Sequence, residues 1–363
     1  MHRFSSRLEW NAGRSPLAQA IVAHTGPVLD LTVSNPTTAG FTYSPDLLRT
    51  LTNSQSLIYD PNPLGLPKAR EAVSKYYNGR VPPSQIVLTS STSEAYSWVF
   101  KLLCDPGDEV LIPRPSYPLF EFLAGLECVR TVQYPMHYAH GWYTDTGALQ
   151  SLITPRTRAI VVVNPNNPTG SFCKQEEFAF LTTLGLPLIF DEVFADYSFT
   201  ASPTLCTPHF VLSGLSKVCG LPQLKLGWIA VNDPAYLPGL ELIADTFLSV
   251  GSPVQHALPA LLDTRFEMQR QIRERTRANL GFLRSLRPRL LEPEAGWSAV
   301  IQVSPERTEE EWVLHLLTRH SVLVHPGYFY DFESEAFLVL SLLTNQKVFQ
   351  EGASRIILAA TTC

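Results

Sequence analysis

The sequence predicts an α/β fold, with a three-layer αβα large domain built on a mostly parallel sheet and a smaller α+β domain beside it. Short apolar runs rich in β-branched residues alternate with segments of helical periodicity along most of the 363 residues. Runs that are apolar throughout are typical of strands whose two faces are both covered by helices. After residue 253 the pattern changes to a long helix followed by alternating strands and helices, which indicates a second domain.

The large domain is predicted to span residues 45–252. Its first strand, residues 85–89 (QIVLT), leads into a helix with apolar residues at 95, 98, 99 and 102, which the turn at residues 105–108 (DPGD) ends. A second helix is expected at residues 120–126. The remaining strands are expected at residues 109–112, 159–163, 186–190, 210–212 and 226–231.

The smaller domain is predicted to combine residues 253–363 with an N-terminal segment, residues 1–44. A long Arg-rich helix is expected over residues 254–286. Strands are expected at residues 297–303, 322–324 and 337–343, and helices at residues 308–320 and 346–359. No Gly- or Ser-rich linker separates the two domains, so we expect them to pack tightly.

Composition argues against several classes of protein. The chain carries a net charge of −5 and has no block of Lys or Arg, so we expect no nucleic-acid partner. No apolar run approaches the roughly 20 residues of a membrane span, and residues 1–20 lack the pattern of a signal peptide. The six cysteines form no C-x-x-C pair, a usage that favours free thiols and a cytoplasmic protein.

The common nucleotide, zinc-protease and serine-hydrolase motifs are absent from the sequence. His137 and His140 lie three residues apart, but Pro135 and Gly141 flank them, which favours a loop over a pair of metal ligands. We therefore predict no metal site.

Polar residues of four chemical kinds follow four of the predicted strands. Ligands of open α/β sheets bind at the carboxyl ends of the strands, so we expect these residues to converge. At the first of these ends, Ser91, Thr92 and Ser93 open a helix, where backbone N–H groups suit a phosphate dianion. Simple N-capping by a hydroxyl group is the alternative.

The other three strand ends offer an amide, a carboxylate and an amine. Asn167 belongs to a stiff loop at residues 164–170 (NPNNPTG), which could also be an ordinary turn. Asp191 ends a buried apolar strand, where it would either satisfy local backbone or face a positively charged ligand atom. Lys217 follows another strand and could act as nucleophile or base in a sheltered cleft, although a lone lysine is more often a solvated charge.

Together these four groups meet the requirements of pyridoxal 5′-phosphate. The phosphate of this cofactor needs N–H donors, and its pyridine nitrogen needs an anion that keeps it protonated. Its phenolic oxygen needs a hydrogen-bond donor, and its aldehyde needs an amine.

The sequence resembles the class I/II aminotransferases, which are pyridoxal-phosphate-dependent enzymes of fold type I. The matching stretches occur in the family's order and cover most of the chain. They are YDPNPLG (59–65), TSSTSEA (89–95), DPGD (105–108), PSYP (115–118), NPNNPTG (164–170), DEV (191–193), SKVCGLP (216–222) and LGW (226–228).

The resemblance implies roles for individual residues. Lys217 matches the lysine that forms a Schiff base with the cofactor and carries the proton. Asp191 matches the partner of the pyridine nitrogen, and Asn167 the donor to the phenolic oxygen. Tyr117 matches the aromatic residue that stacks on the pyridine ring, with a core tyrosine as the alternative. The residues expected around the phosphate are Ser91, Thr92, Ser93, Ser216 and Lys225.

The resemblance also implies an assembly. Tyr59 matches a tyrosine that reaches the phosphate of the neighbouring subunit. We therefore expect a homodimer with shared active sites.

Several residues depart from the family pattern. Phe194 stands where the family usually has tyrosine, and Lys225 where it usually has arginine. Gly214 stands where serine is common, and Ser91 where glycine is usual. The largest departure is Val339, at the position of the arginine that usually clamps the substrate α-carboxylate as a bidentate pair.

Four further residues are candidates for the substrate side. Trp297 and Tyr328 are expected to line it, with core aromatics as the alternative. Arg14, on an N-terminal segment that could fold over the cleft, is a candidate for the missing clamp. Asn35 is expected either to border the same cleft or to form a plain turn.

We therefore predict an aminotransferase that moves the amino group of an amino acid to a 2-oxo acid through a Lys217 Schiff base. Because Val339 replaces the usual arginine, the alternative is a pyridoxal-phosphate enzyme with an unusual amine substrate or another reaction, such as decarboxylation, retro-aldol cleavage or cyclisation. A regulatory protein that retains the fold is disfavoured, since Lys217 and Asp191 are present and only about forty residues precede the motif-bearing part of the chain.

Overall fold

The structure is a computed structural model that describes residues 4–10, 13–200 and 206–361. The strands, in chain order, are β1 (Leu29–Asp30), β2 (Ile86–Thr89), β3 (Glu109–Arg114), β4 (Arg130–Tyr138), β5 (Trp142–Thr144), β6 (Thr157–Val163), β7 (Leu188–Asp191), β8 (Phe210–Gly214), β9 (Gly227–Val231), β10 (Arg289–Leu291), β11 (Ser298–Gln302), β12 (Val322–Leu323), β13 (His325–Pro326) and β14 (Phe337–Ser341). The helices are α1 (Pro16–Ala23), α2 (Pro67–Tyr76), α3 (Thr92–Leu103), α4 (Phe120–Leu126), α5 (Thr146–Ser151), α6 (Gln175–Thr183), α7 (Leu215–Val218), α8 (Leu237–Phe247), α9 (Ser252–Asp263), α10 (Arg265–Ser285), α11 (Glu309–His320) and α12 (Gln346–Thr361).

Eight strands form one large sheet in the order β2-β9-β8-β7-β6-β3-β4-β5. The pairings among β8, β7, β6, β3 and β4 are parallel, whereas β9 and β5 run antiparallel to their neighbours. Ile86 and Leu88 of β2 pack into a core with α2 and α9, and Val87 between them packs into a core with α3 and α8. Helices therefore cover both faces of the sheet, which confirms the predicted three-layer α/β architecture.

A second, antiparallel sheet has the order β10-β11-β14-β13. Its core contains Trp312 and Phe349, together with apolar residues of α10, β11 and β14. The N-terminal segment joins this part of the molecule, because β1 pairs in parallel with β12 and Leu17 of α1 packs into the same core.

The Arg-rich helix expected at residues 254–286 is two helices, α9 and α10, which meet at Thr264. The Thr264 hydroxyl donates to the carbonyl of Leu261 at 2.7 Å, and the Arg265 guanidinium donates to that of Leu262 at 2.6 Å. These side chains satisfy carbonyls that a continuous helix would have bonded through its backbone. Because α9 packs into the core of the large sheet, we propose a domain boundary near residue 264 in place of the predicted division at residue 252.

Among the strands, the prediction missed β1, β4, β5, β10 and β13. β4 could not be predicted because polar residues and Pro135 interrupt its apolar pattern. Strands near the edge of a sheet tolerate such a composition. His137 accordingly lies in this strand, although a loop had been expected there. Its Nε2 is 3.5 Å from Asp145 Oδ2.

Three general features concern only the part of the chain that the structure describes. It contains no group of His, Cys, Asp and Glu side chains placed to hold a metal ion. None of its helices combines the length and the apolar character needed to cross a membrane. Five cysteines within it are free thiols, and Cys363 lies outside it.

Candidate active site

A cavity of about 440 Å³ opens where the carboxyl ends of β2, β6, β7 and β8 meet residues of the second sheet. Such a position, outside the strand ends of an open α/β sheet, is where ligands of these folds bind. The predicted site residues that line it are Ser91, Thr92, Ser93, Tyr117, Asn167, Asp191, Ser216, Lys217, Lys225 and Trp297. The four strand ends singled out from the sequence therefore converge on one cavity.

Lys217 lies in the short helix α7, which follows β8. Its Nζ is 4.8 Å from the ring centroid of Trp297 and 5.4 Å from that of Phe194. Burial lowers the pKa of the Lys217 amine to about 8, and the negative charge of Asp191 partly opposes this effect. A minor but appreciable fraction of the amine is therefore neutral at pH 7, as a nucleophile or a base must be.

Asp191 ends β7 and is held by two hydrogen bonds. The backbone N–H of Val193 donates to its Oδ1 at 3.1 Å, and the hydroxyl of Tyr96 donates to its Oδ2 at 3.0 Å. Burial raises the pKa of Asp191 to about 6, while these bonds and Lys217 act in the opposite direction. The carboxylate is consequently ionised at neutral pH and available to pair with a positively charged ligand atom.

The N-terminus of α3 faces the same cavity. Ser91 Oγ caps this helix by accepting a hydrogen bond from the N–H of Glu94 at 3.1 Å, so the capping alternative holds for this residue. Within the described chain, no acceptor bonds the N–H groups of Thr92 and Ser93. Two backbone donors at a helix N-terminus thus remain for an anion.

Two glycines explain how the strands support this terminus. A Cβ on Gly227 would lie 2.9 Å from the carbonyl carbon of Ser91 and 3.1 Å from the Thr92 nitrogen. A Cβ on Gly214 would lie 2.9 Å from Gly227 Cα and 3.0 Å from the carbonyl oxygen of Leu226. The absence of serine at position 214, noted as a departure from the family pattern, therefore follows from the close approach of β8 and β9.

Asn167 and Tyr117 also line the cavity. Ser298 Oγ donates to Asn167 Oδ1 at 3.5 Å, and no acceptor in the described structure contacts the Asn167 Nδ2. Tyr117 is 45% exposed and lines the cavity, so it is not a core tyrosine. Burial and the nearby Asp191 raise its pKa.

Four predicted site residues lie outside the lining of the cavity. Asn35 forms a plain turn, in which its Oδ1 accepts hydrogen bonds from the backbone and hydroxyl of Thr37. Arg14 is exposed ahead of α1, and its carbonyl accepts a hydrogen bond from Gln19. The other two are Tyr59 and Tyr328.

Trp297 is buried and lines the cavity, so both interpretations given to it hold.

Sequence reasoning also missed several residues of the site. Residues near Asn35 and Tyr328 in the sequence line the cavity instead, namely Thr32, Ser34, His325, Phe329 and Tyr330. Tyr96 carries no sequence signal, because only the packing of α3 on the sheet brings it to Asp191.

Comparisons with known proteins establish the family. The model of the family "Aminotransferase class I and II" matches residues 27–356. The chain belongs to this family. Class I and II aminotransferases use pyridoxal 5′-phosphate, the cofactor whose requirements the cavity meets.

Among curated relatives, glutamate-pyruvate aminotransferase AlaA of Escherichia coli K12 is 31% identical over 261 residues, which are 65% of this chain and 63% of that protein. Nicotianamine aminotransferase 1 of Oryza sativa subsp. japonica is 32% identical over 235 residues, which are 58% of this chain and 48% of that protein. The chain thus matches less than two thirds of the length of these relatives.

Solved structures match over almost the whole chain. Alanine aminotransferase from Pyrococcus furiosus superposes with a TM-score of 0.86 at 24% identity and covers 99% of this chain and 100% of its own. An aminotransferase from Escherichia coli has the same TM-score at 23% identity and covers 99% of this chain and 98% of its own. At this level of identity, the likeness establishes the fold.

Proposed function

We propose that this protein is a pyridoxal-phosphate-dependent aminotransferase that moves the amino group of an amino acid to a 2-oxo acid. The observation that carries the proposal is the enclosure of Lys217 and Asp191 in one cavity with the free amides of α3. An amine that is partly neutral and a carboxylate that is ionised are the two groups that this chemistry requires.

The residues of the cavity fit the cofactor group by group. We assign the phosphate to the amides of Thr92 and Ser93 with the Lys225 ammonium, and the pyridine nitrogen to the Asp191 carboxylate. When bound, the cofactor supplies an electron sink for the carbanion that forms at the substrate's α-carbon. Lys217 would hold the cofactor's aldehyde before substrate arrives, and once the substrate's amine has displaced it, the freed lysine would take the proton from the α-carbon.

Single-turnover measurements test this function. Holoenzyme mixed with an amino donor, with L-alanine and L-glutamate tried first, is expected to release the corresponding 2-oxo acid and leave the cofactor in its amine form. Release of carbon dioxide or of an aldehyde, with the cofactor returned to its aldehyde form, would contradict the proposal. A protein whose cofactor absorbance responds to no amine would contradict any enzymatic function.

Another pyridoxal-phosphate reaction is the second candidate, and one observation favours it. Val339 is 2% exposed and lines the cavity, and no arginine does so within the described chain. The same single-turnover experiment with a panel of amino acids and amines separates the two functions, because amino transfer leaves the cofactor in its amine form and the other reactions return it to its aldehyde form.

We also propose a homodimer and a cytoplasmic location. Leu57 is 91% exposed, and Ile58 and Tyr59 beside it are also exposed. A contiguous apolar surface of this kind is typical of a protein–protein interface. Five free cysteines in the described chain support a reducing compartment.

Replacing Tyr59 with phenylalanine tests the shared site. Because one hydrogen bond to a charged group is worth about 1.5–3 kcal/mol, we expect roughly a tenfold or greater loss of affinity for pyridoxal phosphate. Equilibrium titration of the apoenzyme with the cofactor measures this loss of affinity. Light scattering of the wild-type protein should give twice the mass of one chain. Tyr143, exposed on β5, is the matched control for the substitution. Unchanged affinity, or a monomer that binds the cofactor as tightly, would refute the shared site.

Replacing Phe194 with tyrosine tests the effect of its missing hydroxyl. Phe194 lies next to Lys217, with its ring centroid 5.4 Å from the Nζ. A hydroxyl there would add a donor that stabilises the phenolate of the cofactor, so we expect the holoenzyme's absorbance to titrate at lower pH in Phe194→Tyr. Spectrophotometric titration measures the midpoint, with Phe194→Leu as the control that lacks a donor. Equal midpoints in the wild type and the tyrosine variant would show that the hydroxyl has no such role.

A further inference from the structure

The walls of the active-site cavity carry few charged groups. Within the described chain, its lining includes Asp191, Lys217 and Lys225, no arginine and no other carboxylate. The proposed function assigns all three to the cofactor. An amino acid also brings a carboxylate into this enclosed space, and a buried carboxylate needs a counter-charge or strong hydrogen bonds. His325 is the one further lining residue in that part of the chain that can carry a positive charge near neutral pH.

The register of the second sheet places His325 beside the wall that lacks a charge. His325 of β13 is directly opposite Val339 of β14 in an antiparallel pair. Side chains of directly opposite residues lie on the same face of a sheet, close to each other. Both residues line the cavity, so the imidazole stands next to the apolar surface that Val339 presents.

The imidazole is held in place by its neighbours. Its Nδ1 is 3.1 Å from the hydroxyl of Tyr330, and its ring centroid is 5.6 Å from that of Phe329. A tyrosine hydroxyl can accept a hydrogen bond from Nδ1 when the imidazole is protonated. The other ring nitrogen, Nε2, would then be the donor available to a ligand.

The charges around His325 come from few groups. Burial lowers its pKa, and the carboxylate of Asp30 on β1 acts in the opposite direction. β14 offers no charged side chain there, since its residues that line the cavity are Val339 and Ser341, and the Ser341 hydroxyl donates to the carbonyl of Val33. The acidic residues of α11 act on Tyr328. When no ligand is bound, burial favours the neutral form of the His325 imidazole. An anion that arrives beside it makes the imidazole easier to protonate.

We propose that His325, oriented by Tyr330, binds the carboxylate of the substrate and thereby selects amino acids and 2-oxo acids over simple amines. This specificity role rests on the proposed function for its substrate class. Binding of a carboxylate favours the imidazolium, so it draws a proton onto His325. The affinity for a carboxylate is therefore highest at acid pH and falls as the pH rises through the pKa values of the free and the bound states.

The wild-type holoenzyme tests this inference without any substitution. The probe is 3-phenylpropionate, a carboxylate without an amino group whose ring suits the aromatic walls formed by Phe194, Trp297 and Phe329. Its amide, 3-phenylpropionamide, is the uncharged control. By calorimetry from pH 6 to 8, we expect the carboxylate to lose about tenfold in affinity, which corresponds to a shift of one pKa unit, and the amide to lose none. Comparing two buffers of different ionisation enthalpy should reveal proton uptake for the carboxylate.

Substitutions of His325 separate charge from shape. His325→Gln keeps a polar side chain without a charge, and we expect it to weaken carboxylate binding at pH 6 about tenfold and to abolish the difference in proton uptake. His325→Lys supplies a permanent cation, and we expect it to retain binding at pH 8. His137→Gln, on β4 outside the cavity, is the matched control.

Three results would overturn the inference. They are wild-type binding of the carboxylate that does not change with pH, no detectable binding at pH 6, and a glutamine variant that matches the wild type at pH 6. Any of these results alongside normal amino transfer would refute only the role of His325. Binding that depends on His325 in a protein that transfers no amino group would instead refute the proposed function.

Discussion

The Lys217→Ala variant is expected to lose amino transfer almost completely, with a fall in single-turnover rate of at least about 10³-fold. Proton transfer by a positioned side chain alone contributes 10²–10⁴-fold, and the variant also loses the amine that the cofactor's aldehyde requires. The buried position of this amine, with its pKa lowered to about 8, is what suits it to both tasks.

Borohydride reduction followed by peptide mapping provides a second measurement. In the wild-type holoenzyme the reduced cofactor is expected on residue 217, and in Lys217→Ala on no lysine. Lys174→Ala is the matched control, because Lys174 pairs with Glu294 and does not line the cavity. A colourless wild-type protein, or one labelled at another lysine, would remove the basis of the proposed function.

The Asp191→Asn variant is expected to lower the rate of amino transfer by about 10²–10³-fold, the range typical of removing one electrostatic partner from an active site. Asparagine keeps the size of the side chain but not the negative charge that holds the pyridine nitrogen protonated. Asp191 also raises the pKa of Lys217 against the effect of burial, so the variant should have a Lys217 pKa below about 8.

Two measurements check this prediction. The first is the single-turnover rate with an amino donor. The second is the pH dependence of cofactor capture by the apoenzyme, whose midpoint should move to lower pH because the neutral amine is the reactive form. Asp245→Asn, exposed on α8, is the control. An unchanged rate together with an unchanged midpoint would show that Asp191 does not act on the cofactor or on Lys217.

The replacement of the family's arginine by Val339 changes the demands on the substrate side. A guanidinium binds a carboxylate through two parallel hydrogen bonds and keeps its charge at all physiological pH values. A buried imidazole offers one donor and a charge that depends on pH. If His325 has this role, the affinity for the substrate's carboxylate is lower, and depends more strongly on pH, than in relatives that carry the arginine.

Except for β4 and β5, the strands of the large sheet and the groups at their ends could be predicted because local patterns encode them. Apolar runs such as that of β6 indicate buried strands by themselves, and Asp191 and Lys217 are each next to such a run. The break between α9 and α10 could not be predicted in this way. It depends on side-chain bonds of Thr264 and Arg265 to carbonyls, while the apolar periodicity continues across it.

The sequence by itself indicated the family, the cofactor and the four strand ends that meet the cofactor's requirements, because neighbouring residues carry each of these signals. Tertiary structure alone decided which distant residues join them. Tyr96 reaches Asp191 across 95 positions of the chain, and His325 meets Val339 only through the register of β13 with β14. The order and register of strands follow from the packing of the whole core, so no local pattern reveals such contacts.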